Sequence, residues 1–442
     1  MQPAVPALEM PPCPGPVRGT IRPPGSKSIT NRALVCAALA RGKSRLSGVL
    51  DSQDTRVMAS GLAALGIRVE PDWDRGIVEV SGAAGFIPSA AADIDCMASG
   101  TTMRFLSAVC GLGHGTYRLD GTARMRQRPI DDLLAALRAL GAEATAESPG
   151  GCPPVTIRAH GLAGGKAVVH GGTSSQFASG LALAAPCSTS GLEIEFAGRL
   201  VSLPYLEMTR RVMTSFGAAC EVVGERTWRI PPTGYAAREY SIEPDASAAS
   251  YFFAAAAVTD GAVTVAGLSR QSMQGDVAFC DALERMGCHV AWNDAGAGSI
   301  TVSGRAGRGI DIDMNAISDT VPTLAVVALF ASGPTTIRNV AHIRDKETDR
   351  IGDLARELRR LGADITEFAD GMRIDPRPLR PAEVATYDDH RMAMSLAIVG
   401  LRLPGLKILD PACVGKTFPD YWKRLAEVAR LDGSAWRMRP PA

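Results

Sequence analysis

The chain has 442 residues, 46% of them apolar, and sets 47 Lys and Arg against 46 Asp and Glu for a formal charge of +1. That length suits roughly two to three domains with sizeable cores, and near-neutrality removes the electrostatic case for a nucleic-acid partner. No apolar run approaches the roughly 18 residues of a membrane span, and the Pro-rich start lacks the charged and apolar regions of a secretory leader, so a cytoplasmic chain with no membrane partner is expected.

In chain order, the first element of interest is Pro24-Gly25-Ser26-Lys27-Ser28, which opens an Ala-rich helix predicted over 28–40. Ser28 and Arg32 are four residues apart and share a helical face, with Lys27 at the helix start, so the three suit one phosphate or carboxylate. Gly42-Lys43-Ser44 imitates a nucleotide-binding loop, but Ala37 stands where that motif needs its first glycine, which excludes it. Ser99-Gly100-Thr101-Thr102 opens a second small-residue helix at 101–108, and Arg124-Met125-Arg126-Gln127-Arg128-Pro129-Ile130 follows. Ser174-Ser175-Gln176 leads a helix at 175–184, Asp245-Ala246-Ser247 one at 246–257, and Asp319-Thr320 one at 319–331. Lys346-Glu347-Thr348-Asp349-Arg350 has i,i+4 spacing that would put both cations on one helix face. Asp389-His390-Arg391 and Lys416 complete the series, and a last helix is expected from 421 to 431.

Alternating with these buried helices are amphipathic ones that end in glycine at Gly66, Gly141, Gly217, Gly287 and Gly362, at intervals of 75, 76, 70 and 75. Glycine supplies the left-handed residue that stops a helix before the next strand. Five copies of a β/α unit are therefore legible, with a sixth visible in part from Leu406-Lys407-Ile408-Leu409 onward. Repeats this long are compact supersecondary units, and six of them make two domains of three. Buried helices whose first turns carry hydroxyls, carboxylates and cations aim free N–H groups at a shared space, which suits small anions.

Ten cysteines without a C-x-x-C pair are expected to be buried reduced thiols, and six isolated histidines without H-x-H or H-E-x-x-H predict no metal site.

Taken together, Pro24-Gly25-Ser26-Lys27-Ser28, Ser99-Gly100-Thr101-Thr102-Met103-Arg104, Arg128-Pro129-Ile130, Ser174-Ser175-Gln176-Phe177, Glu243-Pro244-Asp245-Ala246-Ser247, Lys346-Glu347-Thr348-Asp349-Arg350, Asp389-His390-Arg391-Met392-Ala393-Met394 and Lys416-Thr417-Phe418-Pro419-Asp420 resemble the 5-enolpyruvylshikimate-3-phosphate (EPSP) synthase family, from about Arg18 to the last helix. The resemblance implies a two-domain inverse α/β barrel with threefold pseudo-symmetry in each domain. It implies a discontinuous domain of 1–24 plus 245–442, an inserted domain of 25–244, and an active site in the cleft between them.

It further implies that Lys27, Ser28, Arg32, Ser174, Ser175, Gln176, Ser202, Tyr205, Asp319 and Lys346 bind shikimate 3-phosphate. His342 is added to that set because it stands where some relatives carry Asn. Lys27, Gly100, Arg128, Gln176, Arg350, Arg391 and Lys416 are implied to bind phosphoenolpyruvate. Asp319 is the candidate base for the 5-hydroxyl, Glu347 the acid and later base at C3, and Lys27 shares proton transfer. No cofactor or metal and no macromolecular partner are implied, and a monomer is expected. Gly100 is placed where glyphosate binds in this family, so the enzyme is expected to be a glyphosate-sensitive target; Ala98 departs from an Asn that many relatives carry nearby. The related UDP-N-acetylglucosamine enolpyruvyl transferases have a hallmark cysteine shortly before the Arg-Pro pair, and this chain has none between Leu119 and Ile130.

Overall fold

The computed structural model describes residues 6–170, 175–198, 201–431 and 438–439. The chain divides into two compact units, Met1–Pro24 with Pro244–Ala442, and Gly25–Glu243.

Among the described residues each unit holds three sheets built on one plan. In the inserted unit, strand Ala91–Asp95 runs parallel to His114–Asp120, and Cys152–His160 and Glu143–Ser148 add antiparallel strands beyond it. Gly165–His170, Leu192–Ala197, Thr227–Ile230 and Glu221–Val223 repeat the order. So do Tyr235–Ala236 and Glu239–Ser241 with Ala40–Ser47, Ile77–Ala83 and Arg68–Asp72. Side chains alternate faces along such strands, so Leu192, Ile194 and Phe196 turn inward while the residues between them are only half-buried.

The discontinuous unit uses the same plan three times. Arg18–Ile21 lies parallel to Ala262–Ala266, and Asp311–Asp313 parallel to Thr335–Arg338, each pair extended by an antiparallel hairpin. In the sixth sheet Glu383–Val384 pairs with Lys407–Leu409, and the hairpin positions are filled by Ala7–Glu9 and Met438–Arg439 from opposite ends of the chain.

Behind each set of sheets run three buried helices: Lys27–Leu39, Gly100–Cys110 and Ser175–Ala184 in one unit, Ala246–Thr259, Val321–Ala328 and His390–Gly400 in the other. All fourteen residues of Ala246–Thr259 are buried, and its Ala254–Ala257 run lets neighbours approach closely. Its Phe252 packs with Phe418 and Tyr421, ring centroids 5.6–6.2 Å apart, in tilted and edge contacts worth roughly 0.5–1.5 kcal/mol each beyond their burial. The outer helices Gln53–Ala64, Asp131–Ala139, Leu203–Ser215, Phe279–Arg285 and Gly352–Arg360 run into the five glycines, whose φ values lie between 84° and 111°. The sixth, Tyr421–Ala429, stops instead at Arg430 with φ 53°.

Three expectations need correction. The helix expected over 319–331 is the shorter Val321–Ala328, preceded by a 3-10 stretch at Asn315–Thr320 that holds Asp319; Pro322 is compatible only with the first turn, and Ile317 at φ −126° breaks the helix before it. Lys346–Arg350 is loop, because Asp349 accepts from the N–H groups of Ile351 and Gly352 at 3.0 Å and so delays the helix to Gly352. Of the ten cysteines, Cys13, Cys187, Cys220 and Cys413 are half-buried rather than buried. Among the described residues, no helix is long and apolar enough to cross a membrane.

Candidate active site

In the inserted unit, Lys27 is the first residue of its helix, and its Nζ lies 3.4 Å from Oδ2 of Asp54. The loop ahead of it is possible only with glycine at 25, where a Cβ would overlap the Gly48 carbonyl oxygen. Ser26 does not cap the helix: its Oγ is buried with no hydrogen-bond partner among the described residues.

Arg32 is 2% exposed, and its guanidinium donates to Thr209 Oγ1 at 2.8 Å, the Ser28 carbonyl at 2.9 Å and the Tyr205 carbonyl at 3.2 Å. Among the described residues no carboxylate lies in ion-pair range of it, and burial draws its pKa down to about 10. A buried guanidinium paired only with neutral oxygens is expensive unless an anion joins it.

Gly100 begins its helix with Ser99 accepting from the Thr102 N–H. Arg104 Nη1 donates to the Gly100 carbonyl at 3.0 Å, and a Cβ at Gly100 would stand 2.6 Å from that Nη1 and 2.8 Å from both terminal nitrogens of Arg128. Two guanidiniums therefore crowd one bare helix start. Ser175 begins the third buried helix, and Gln176 Nε2 donates to Thr101 Oγ1 at 3.3 Å, which ties two of the helix starts together. Ser202 takes a left-handed φ of 56° ahead of the Leu203–Ser215 helix, which carries Tyr205. Ser174 lies outside the described residues.

In the discontinuous unit the cations and carboxylates form one linked network. Arg350, 1% exposed, donates through Nε and Nη2 to both oxygens of Asp389 at 2.7 and 3.1 Å, through Nη1 to Asp319 at 3.1 Å, and through Nη2 to Glu347 at 2.8 Å. Arg391 donates to the other Asp319 oxygen at 2.7 Å, and Lys416 to the other Glu347 oxygen at 2.7 Å. Three cations thus hold three carboxylates, and both Asp319 and Glu347 are fixed at each oxygen. Burial alone would weaken the hold of Arg350 on its proton, but Asp389, Glu347 and Asp319 more than offset it and raise its pKa.

His342 is buried beside Ser318, with Nε2 to Oγ at 3.0 Å; burial, then Lys346, lowers its pKa to about 4, so it is neutral at pH 7. Tyr251 adjoins Arg391 and Arg350 from the Ala246–Thr259 helix, and burial pushes its pKa up to about 12.

The expected residues thus fall into two sets, one in each unit. Sequence reasoning missed Asp389 as the main partner of Arg350, Arg104 beside Gly100, and Asp54 beside Lys27. The first two sit inside motifs that were read for other residues. Asp54 had no signal beyond being an acid in the first turn of an otherwise amphipathic helix.

Six β/α repeats in two units, each with buried helices whose first turns carry polar and cationic side chains, define the two-domain inverse α/β barrel of the enolpyruvyl transferases. The EPSP synthase of Acinetobacter baumannii superposes with a TM-score of 0.78 at 24% identity, covering 96% of this chain and 98% of that one. The enolpyruvyl transferase NikO from Streptomyces tendae gives 0.77 at 21% identity with the same coverage. A sequence profile of EPSP synthase (3-phosphoshikimate 1-carboxyvinyltransferase) matches residues 12–425. Curated relatives named 3-phosphoshikimate 1-carboxyvinyltransferase include that of Nostoc punctiforme, 47% identical over 95% of this chain and 99% of its own length, and that of Thiobacillus denitrificans, 45% identical over 93% and 97%. This chain belongs to the EPSP synthase family.

Proposed function

We propose that this chain transfers the enolpyruvyl group of phosphoenolpyruvate to the 5-hydroxyl of shikimate 3-phosphate and releases phosphate. Membership of the family supports the reaction, and the observation that carries it is the network in which Asp319 and Glu347 are each held at both oxygens by Arg350, Arg391 and Lys416. Carboxylates fixed among cations put proton-transfer groups beside binding sites for anionic substrates.

Asp319 takes the 5-hydroxyl proton as that oxygen bonds to C2 of phosphoenolpyruvate, while Glu347, protonated once the substrate's phosphate and carboxylate take over Arg350 and Lys416, delivers that proton to C3. In the tetrahedral intermediate the bond from C2 to the phosphate oxygen then breaks, and Glu347 removes a proton from the new methyl group to restore the double bond. Lys27 assists proton transfer. Arg128, Arg350, Arg391, Lys416, Gln176 and the bare helix start at Gly100 receive phosphoenolpyruvate; Ser28, Arg32, Ser174, Ser175, Ser202, Tyr205, His342 and Lys346 receive shikimate 3-phosphate, with Lys27, Gln176 and Asp319 shared. A positioned acid or base contributes typically 10²–10⁴-fold, and a donor at developing charge about 3 kcal/mol. Each unit supplies a different half of this chemistry: the inserted unit offers the guanidinium of Arg32, which among the described residues meets only neutral oxygens, and the discontinuous unit the fixed carboxylates. We infer that both halves act on one pair of substrates.

The test is phosphate release from purified protein with shikimate 3-phosphate and phosphoenolpyruvate. Release that requires both substrates is expected. Release with UDP-N-acetylglucosamine in place of the shikimate ester, or none with either acceptor, overturns the proposal.

A further inference from the structure

Arg350 and Arg391, which hold Asp319, both also bond to Asp389, and the segment that leads into Asp389 is bonded to another helix. Between strand Glu383–Val384 and the His390–Gly400 helix the chain passes through Tyr387 and Asp388, at φ 56° and 55°. Two consecutive left-handed residues that are not glycine are intrinsically disfavoured and persist only where the surroundings over-determine them. They lead directly into Asp389, which accepts from the Arg391 N–H at 2.8 Å and takes both arms of Arg350.

What holds the segment is Glu357. It lies on the Gly352–Arg360 helix, is 0% exposed, and accepts from the Ala385 N–H at 3.2 Å through Oε2 and from the Tyr387 hydroxyl at 2.5 Å through Oε1. The Tyr387 hydroxyl in turn accepts from Arg356 at 3.1 Å, and that guanidinium also sits 5.7 Å from the Tyr387 ring centroid. Arg360 adds an ion pair to Glu357 at 3.5 Å from a half-exposed side chain. An apolar residue at 357 would fill the same buried space without desolvating a charge, so packing alone does not account for a carboxylate there. Its two acceptor oxygens match the two donors that fix where residues 385–388 run.

We propose that Glu357 is a positioning residue for the anion-binding start of the His390–Gly400 helix, acting through Ala385 and Tyr387 to set where Asp389 and Arg391 stand. Glu357 touches no substrate in this scheme. The proposal rests on the functional reading above, in which Arg350 and Arg391 receive phosphoenolpyruvate.

The experiment compares the parent with Tyr387→Phe, which removes only the hydroxyl, and Glu357→Gln, which keeps the shape and one acceptor. Misplaced guanidiniums weaken phosphoenolpyruvate binding in ground and transition states alike, so its KM should rise about tenfold in Tyr387→Phe; kcat should fall by less than that, because Arg350 and Arg391 also hold Asp319 and Glu347, and KM for shikimate 3-phosphate should stay within about threefold. Glu357→Gln should move the same constant in the same direction by less. A lower melting temperature with both KM values unchanged, or kcat and both KM values moving together, overturns the proposal. If the parent itself does not turn over these substrates, the functional reading fails on its own. Amide exchange over residues 385–391 then decides the positioning claim: faster exchange in Tyr387→Phe supports it, and unchanged exchange overturns it.

Discussion

Gly100→Ala is the substitution whose effect the structure sharpens most. The new methyl would stand 2.6 Å from Arg104 Nη1 and 2.8 Å from both terminal nitrogens of Arg128, roughly 0.7–0.9 Å inside the ~3.5 Å optimum for non-bonded contact. Both neighbours are the far ends of long side chains rather than backbone, so the helix tolerates the methyl and the guanidiniums move instead. Displacing Arg128 weakens one charged hydrogen bond to phosphoenolpyruvate, worth about 1.5–3 kcal/mol at most, so its KM should rise roughly tenfold. The family resemblance, which places Gly100 where the longer glyphosate binds, implies a penalty falling mainly on that ligand; the two displaced guanidiniums add a cost to the substrate as well. Glyphosate should still lose more, since direct overlap with a methyl costs typically 1–3 kcal/mol further, and the ratio of its inhibition constant to the KM for phosphoenolpyruvate should climb roughly 5- to 140-fold. Steady-state kinetics with phosphoenolpyruvate varied at several glyphosate concentrations measures both quantities. An unchanged ratio would remove Gly100 from the phosphoenolpyruvate pocket, and an unchanged KM would show that Arg128 does not bear on that substrate.

Glu347→Gln presents an amide nitrogen to either Lys416 or Arg350, both donors, and cannot carry the proton; kcat should fall by about 10²–10⁴ with KM values changing less than tenfold, and activity within about threefold of the parent would exclude Glu347 from proton transfer. Arg32→Met removes a buried guanidinium that has no carboxylate in ion-pair range among the described residues, so KM for shikimate 3-phosphate should rise by about 100-fold while stability in urea changes by less than about 2 kcal/mol; a larger loss of stability would mean that the guanidinium is structural. His342, with its pKa depressed to about 4 by burial and Lys346, gives stability that is present above the unfolded value of about 6.5 and lost as pH falls towards 4, because the unfolded chain binds the proton first. Urea unfolding at pH 7.5 and pH 4.5 should therefore show His342→Asn losing roughly 2–3 kcal/mol less than the parent over that interval, and equal losses would refute the assignment.

The repeats were legible because five outer helices stop at a glycine that takes a positive φ, a requirement that leaves its mark in sequence. The sixth was obscure for two physical reasons: its stop is Arg430, a rare left-handed arginine, and its hairpin is assembled from Ala7–Glu9 and Met438–Arg439, which no local pattern can join. The cationic residues of the site were legible as types in motifs, whereas their partners were not. Spacing suggested a helix at Lys346–Arg350, yet Asp349 captures the first free N–H groups and the same residues meet across a loop. The pairing of Asp389 with Arg350 joins positions 39 residues apart, and the left-handed turn at Tyr387 and Asp388 uses residue types that give no hint of it.

The sixth sheet also bears on how this protein can be re-engineered. Ala7 and Arg439 are register partners on adjacent strands, about 5 Å apart at Cα, so a short polar loop could close the backbone there. New ends opened at the boundary between Glu243 and Pro244 would then let the discontinuous unit be written as one unbroken stretch, from Pro244 through the closure to Pro24. Such a circular permutant keeps every strand pairing of that unit, and it would allow the three-repeat half carrying Asp319, Glu347 and Arg350 to be synthesised, labelled or evolved as a single cassette.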